Sequence, residues 1–102
     1  MYRASDEVEH EEWLARLRRA AESLELSAEA RSNATDLFLS AVPEEDRSKP
    51  AMAAAALYAG ALIAGDERPQ TAVAEAMGVS RLSVQQRWKD VMDDAGFRPP
   101  TW

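Results

Sequence analysis

The stretch Thr71–Val91, TAVAEAMGVSRLSVQQRWKDV, decides how the chain is read. Two short helices that cross steeply need a small residue where they touch, a turn that tolerates unusual backbone angles, and an apolar anchor from the second helix into the core. Ala74, Gly78 and Val84 stand at relative positions one, five and eleven, the spacing those three jobs require. Val73, Met77 and Val79 supply the surrounding apolar contacts, and Ser80 is placed to cap the second helix. The stretch reads as a helix-turn-helix over residues 69–95, opened by Pro69 and stopped by Gly96.

Turned at about 100 degrees per residue, the second helix puts Val84, Trp88 and Val91 in one narrow arc that must face the core. Leu82, Gln85, Gln86 and Lys89 fall on the opposite side. A leucine between two amides and a lysine is of little use to a purely solvated face. In a major groove it can touch a thymine methyl, Gln85 or Gln86 can pair bidentately with adenine, and Lys89 can reach phosphate. Arg81 can reach a guanine edge or a phosphate, and the amides near Ser80 are themselves phosphate donors. Ser83, and Gln70 and Thr71 at the start of the preceding helix, complete the candidate DNA-contacting set. Asp90, Asp93 and Asp94 lie further along and repel phosphate, which confines any approach to the front of the helix. The competing reading is a helix-turn-helix kept as scaffold, with an ordinary solvated outer face.

Working back from this stretch, the run AMAAAALYAGALIAG (51–65) is almost free of polar groups. A helix apolar all round is a buried one, and its alanines let neighbours approach closely. Ser48 and Pro50 read as its start, a cap followed by proline in the first turn. Before it, Ser27 caps a helix with Ala30, Ala34, Leu37, Phe38 and Ala41 on one face, stopped by Pro43. The segment PEEDRS (43–48) is a polar loop. From Asp6 to Leu26, Trp13, Leu14, Leu17, Ala20, Ala21 and Leu24 recur at spacings of three and four, with DEVEHEE (6–12) supplying acids to the first turns. Five helices without a strand pattern predict an all-α bundle ending in a helix-turn-helix. One domain over residues 1–96 and a tail over 97–102 follow. Pro99, Pro100 and Trp102 in that tail either pack back on the core or dock on a partner.

The 102 residues carry a net charge of −6, and the acidity is uneven. Residues 1–50 hold twelve acids against seven bases, and residues 51–102 hold six against five. Between Arg81 and Lys89 there are three bases and no acid, so the reading element is basic within an acidic chain. Ten of the twelve bases are arginine, a balance that fits a salt-adapted cytoplasm as well as an ordinary acidic surface. No apolar run approaches the roughly 18 residues a membrane span needs, and the start lacks the pattern of a secretion signal. A soluble cytoplasmic protein that does not engage a membrane is expected. Cysteine is absent and His10 is the only histidine, so neither a disulfide nor a metal site is expected, and no cofactor. Ser48, Ser80 and Ser83 have no histidine base on their own helices, and no glycine-rich phosphate loop is present, so the residues do not point to an enzyme.

The run from Arg47 to Val91, RSKPAMAAAALYAGALIAGDERPQTAVAEAMGVSRLSVQQRWKDV, resembles the later part of a cyclin-like repeat of archaeal transcription factor B. That family is related to eukaryotic transcription factor IIB, and its second repeat is the nearer match. The resemblance implies a five-helix cyclin-like fold whose last two helices contact a promoter element beside the site of the TATA-binding protein. It also implies that Leu82 is the apolar base-contacting residue, and it places Gln85 where the family has a base-reading arginine. That departure predicts a different base preference or weaker binding. A full factor B would also carry a cysteine-rich zinc ribbon, a linker entering the polymerase and two repeats. The expectation is therefore a single-repeat derivative acting as a small DNA-binding regulator.

Two functions compete. One is a binder of double-stranded promoter DNA, reading with Arg81, Leu82, Gln85, Gln86 and Lys89. The other is a protein-interaction module that binds the TATA-binding protein, polymerase or another regulator without reading DNA. With few basic side chains, counterion release supplies little affinity, so a lone domain needs a homodimer on two half-sites or a DNA-bound partner.

Overall fold

The computed structural model describes residues 10–41 and 48–97. Among them the chain forms five α-helices and no strand: α1 (Glu11–Ser23), α2 (Ala28–Ser40), α3 (Lys49–Ile63), α4 (Gln70–Met77) and α5 (Arg81–Asp94). This is the all-α five-helix bundle that the apolar spacing predicts, and it agrees with the cyclin-like fold that the resemblance implies. None of these helices is long and apolar enough to cross a membrane. The expected beginning of the first helix at Asp6, the Pro43 stop, most of the PEEDRS loop, and the Pro99, Pro100 and Trp102 tail lie outside the described residues.

Helix α3 is the axis of the bundle. Every residue from Ala53 to Ala61 is buried, and the helix packs most extensively on α2 and α5, with α1 and α4 also against it. A helix with no polar stripe has no face to give to water, so neighbours cover it on several sides. Burial fades at Leu62 and Ile63, before the apolar run ends, because the helix there runs out to the Gly65 turn. Ser48 is not the cap its position suggests. Its backbone is already helical (φ −88, ψ −14), and its side chain makes no capping bond. Pro50 has no N–H, which removes one of the donors that a cap would satisfy.

Helix α1 buries Leu14, Leu17, Ala20 and Ala21, and α2 buries Ala30, Ala34, Leu37, Phe38 and Leu39. Trp13 is half-buried, with the Arg16 guanidinium 4.5 Å over its ring. Helix α1 ends at Ser23, not at Leu26, because Glu25 adopts a left-handed φ of 56° and the Leu26 N–H turns back to the Ala21 carbonyl at 3.0 Å. That reversal drops Leu26 into the core at the head of α2. Ser27 then caps α2 as expected, its hydroxyl accepting from the Ala30 N–H at 3.1 Å. On the other side of the bundle, Val84, Trp88, Val91 and Met92 of α5 are buried. The Tyr58 ring of α3 meets the Trp88 indole edge to face, 5.3 Å between centroids.

Candidate nucleic-acid interface

The turn between α4 and α5 is built as its sequence requires. Gly78 takes the left-handed conformation (φ 70, ψ 32), and the next N–H, from Val79, returns to the Ala74 carbonyl at 3.0 Å. Ala74 is 3% exposed at the helix crossing, and Val84 is fully buried as the anchor of α5. Ser80 is extended, and its hydroxyl accepts from the Ser83 N–H at 3.1 Å, which caps α5. The Ser80 and Ser83 hydroxyls lie 2.9 Å apart, so both serines of the candidate set take part in building the helix start.

With Val84, Trp88 and Val91 turned inward, the opposite face of α5 presents Leu82 at 55% exposure, flanked by exposed Gln85 and Gln86. Few apolar side chains of this size are left to water, and among the described residues only Phe97 is a comparable case. Lys89 is half-buried, its ammonium 5.5 Å over the Trp88 ring. Arg81 is exposed at the head of the helix, and Arg87 is half-buried. Asp90, Asp93 and Asp94 are exposed toward its far end. The basic groups thus sit at the front of α5 and the acids behind, as the sequence order requires.

Two residues of the candidate set on different helices are brought together. The Arg81 Nη1 donates to Gln70 Oε1 at 3.3 Å, across the two helix starts. Nearby, the Tyr58 hydroxyl donates to Glu67 Oε2 at 3.3 Å. Burial pushes the Tyr58 phenol above its ordinary value; the polar Gln70 side chain acts in the opposite direction, and the Glu67 charge adds to the rise. Thr71, next along α4, is exposed. The Tyr58–Glu67 pair was not legible in the sequence, because one reads as a core aromatic and the other as a loop acid.

The loop that feeds α4 is tied down by residues that the sequence also hides. Asp66 accepts from the Ser27 N–H at 2.8 Å and from Arg68 Nη1 at 2.7 Å. Arg68 reaches further, its Nε donating to the Leu24 carbonyl at 3.0 Å and its Nη2 to the Glu25 carbonyl at 3.2 Å. The pair therefore clamps the α1–α2 connection to the entrance of α4. The Ser27 backbone N–H, then the Arg68 side chain, hold the Asp66 carboxyl below the usual carboxylate range. The only sequence signal was the DERP run (66–69), which reads as a break between helices.

The family model described as Transcription factor TFIIB repeat matches residues 8–94. The chain is 32% identical over 78 residues to the transcription initiation factor IIB of Archaeoglobus fulgidus, covering 74% of this chain and 24% of that protein. It is 31% identical over 83 residues to the transcription initiation factor IIB of Pyrococcus abyssi, covering 78% and 28%. With transcription initiation factor IIB 2 of Thermococcus kodakarensis the identity is 29% over 85 residues, covering 80% and 28%. The chain thus spans about a quarter of the length of the curated relatives it matches.

Proposed function

Because the chain belongs to the transcription factor TFIIB repeat family, we propose that it is a transcription regulator that binds double-stranded DNA at promoters, with α5 as its reading helix. The observation that carries this reading is Leu82, 55% exposed between Gln85 and Gln86 on the face of α5 turned away from the core. A helix fits the major groove, where an apolar side chain meets a thymine methyl and amides pair with adenine. The N-terminal residues of such a helix do most of the reading, and here they are the capped start Ser80–Ser83 with Arg81 exposed. Lys89 and Arg87 add positive charge within the next two turns, and Thr71 contacts the backbone from the preceding helix.

Phosphate contacts of this kind are few on a chain of net charge −6, so affinity needs a second source. A homodimer on two half-sites, or a DNA-bound partner such as the TATA-binding protein or polymerase, supplies it. The deciding experiment is a mobility-shift titration at graded salt, with DNA selected from a random pool. Selection of a defined site, with affinity falling as salt rises, is the expected result. Failure to select any sequence removes DNA reading and leaves a protein-interaction module of the transcription machinery.

A further inference from the structure

We infer that the groove between α1 and the α4–α5 turn is a seat for the sugar-phosphate backbone of a DNA duplex, with Arg16 and Arg19 as its phosphate contacts. The inference rests on the reading above that α5 meets DNA, and it supplies positive charge from outside the helix-turn-helix.

The groove has a volume of about 480 Å³ and two unlike walls. Arg16, Arg19 and Ala20 stand on one of them at spacings of three and four, which sets them on a single face of α1. Between Trp13 and Ala21 this helix carries three arginines and no acid, although it opens on Glu11 and Glu12. Both groove arginines are exposed, and Arg19 pairs with no carboxylate among the described residues. Arg16 Nη2 lies 3.4 Å from Glu12 Oε1, an exposed pair of the kind that holds side chains only weakly. Its guanidinium lies 4.5 Å over the Trp13 ring, and a stacked guanidinium keeps its N–H edge for an acceptor. The other wall is the end of α4, with Glu75 and Ala76, closing on Gly78. Nothing stands within 4 Å of the place a β-carbon would take on Gly78, so the groove is open at the turn.

Its position relative to α5 selects the occupant. In a helix-turn-helix on DNA the first helix crosses the sugar-phosphate backbone while the second enters the major groove. Here the first is α4, and α1 packs against it. Gly78 belongs to the turn and is followed by the Ser80 cap and then Arg81. The groove therefore opens where the chain passes from backbone to bases, and a duplex read by the start of α5 brings a phosphate of the crossed strand to Arg16 and Arg19. A guanidinium holds phosphate through two parallel N–H bonds. An acidic peptide fits less well, because peptides are anchored by side chains in well-packed pockets and the floor here is alanine and glycine. Glu75 repels phosphate from the opposite wall, so the backbone seats against α1.

Four single variants test the groove: Arg16→Gln, Arg19→Gln, Glu75→Gln and, as a control, Arg18→Gln, which removes the same charge from an exposed position of α1 outside the groove. Circular dichroism and melting follow the fold. Affinity for selected and random duplexes is measured across a salt series, and single phosphates are replaced in turn by uncharged methylphosphonates. Native spectra are expected, since all four side chains are exposed. Arg16→Gln and Arg19→Gln should weaken binding to selected and random duplexes by the same factor and leave the preferred site unchanged. Each should make the slope of log affinity against log salt shallower by about one, a contact that accounts for roughly three- to fourfold between about 50 and 200 mM salt. Methylphosphonate at one or two positions beside the bases read by α5 should cost the wild type this factor and the arginine variants nothing. Glu75→Gln should strengthen binding to both duplexes. If Arg18→Gln loses as much as Arg19→Gln, net charge is the cause and the proposal is overturned. Unchanged affinity and salt slope in both groove variants overturns it too, as does a shifted base preference. DNA binding left intact while binding of a poly-glutamate peptide is lost would give the groove to an acidic protein instead. If one arginine variant does not fold, the other and the methylphosphonate scan decide. A wild type that binds no duplex removes the DNA reading and this inference together, whereas a wild type that binds, with groove variants indistinguishable from it, overturns only the groove.

Discussion

Gly60 on α3 lies so close to Ala34 on α2 that a β-carbon added to it would stand 2.6 Å from the Ala34 backbone nitrogen and 2.9 Å from its Cα. The atoms in the way are backbone and cannot swing aside. Asn33, beside Ala34, donates to the Gly60 carbonyl at 3.3 Å and holds the same contact. Gly60→Ala gains helix propensity, worth up to about 1 kcal/mol in an exposed helix. Here the overlap outweighs it, and a net loss of about 1–3 kcal/mol is expected. At this size of domain each kcal/mol moves Tm by roughly 4–8 °C. A thermal melt at or above the wild-type midpoint would show that α2 and α3 are further apart.

The Asp66 clamp gives a pH dependence with a definite sign. Its carboxyl is held below the usual range by the Ser27 N–H and by Arg68, so the folded state favours the charged form. The stability this gives is present above the pKa of an unfolded aspartate and is lost as pH falls through the lowered folded value. Asp66→Asn should therefore be less stable than wild type near neutral pH, and the gap should close in acid. Urea unfolding at pH 7 and below pH 4 checks it, and a gap independent of pH would remove the charge from the argument.

Parts of this architecture were legible because the sequence gives them local signals. Gly78 marks the turn through its left-handed φ, Ser27 and Ser80 cap with their own hydroxyls, and α3 has no polar stripe to give to water. Other parts have no local signal. Glu25 takes φ 56° although glutamate does not favour that conformation, and it shortens α1 by a turn. Gly60 reads in sequence as a tolerated helix glycine, and only the approach of Ala34 shows its purpose. Arg68 meets Leu24 and Asp66 meets Ser27 across long separations that no periodicity encodes. The outer face of α5 was read from helix geometry alone, and its exposed Leu82, Gln85 and Gln86 agree with that reading. Lys89 is drawn toward Trp88, a side-chain preference that spacing does not carry.

Leu82 separates folding from recognition. Being 55% exposed, it contributes little to the core, and Leu82→Gln keeps a good helix former at the position. Stability should stay within about 0.5 kcal/mol of wild type. Affinity for the selected site should fall by about 1–2 kcal/mol, the scale of an apolar side chain partly removed from water. Loss of stability with no change in DNA affinity would place Leu82 in packing and not at the groove.

Gln85 carries the sharpest test, because it stands where the resemblance to factor B places a base-reading arginine. It is exposed on α5, about 100 degrees around the helix from buried Val84, so the core is indifferent to its identity. An amide pairs best with adenine and a guanidinium with guanine, through two hydrogen bonds in each case. Gln85→Arg should therefore leave the melt unchanged and move the preferred base at one position of the selected site toward guanine. One bidentate pair discriminates by about 1–3 kcal/mol, or roughly 5- to 150-fold, which parallel selections on the two proteins resolve. The added charge should also strengthen binding to random DNA and steepen its salt dependence if part of the guanidinium reaches phosphate. A gain on random DNA with identical selected sites would make position 85 a backbone contact, and identical behaviour in both assays would remove it from the interface.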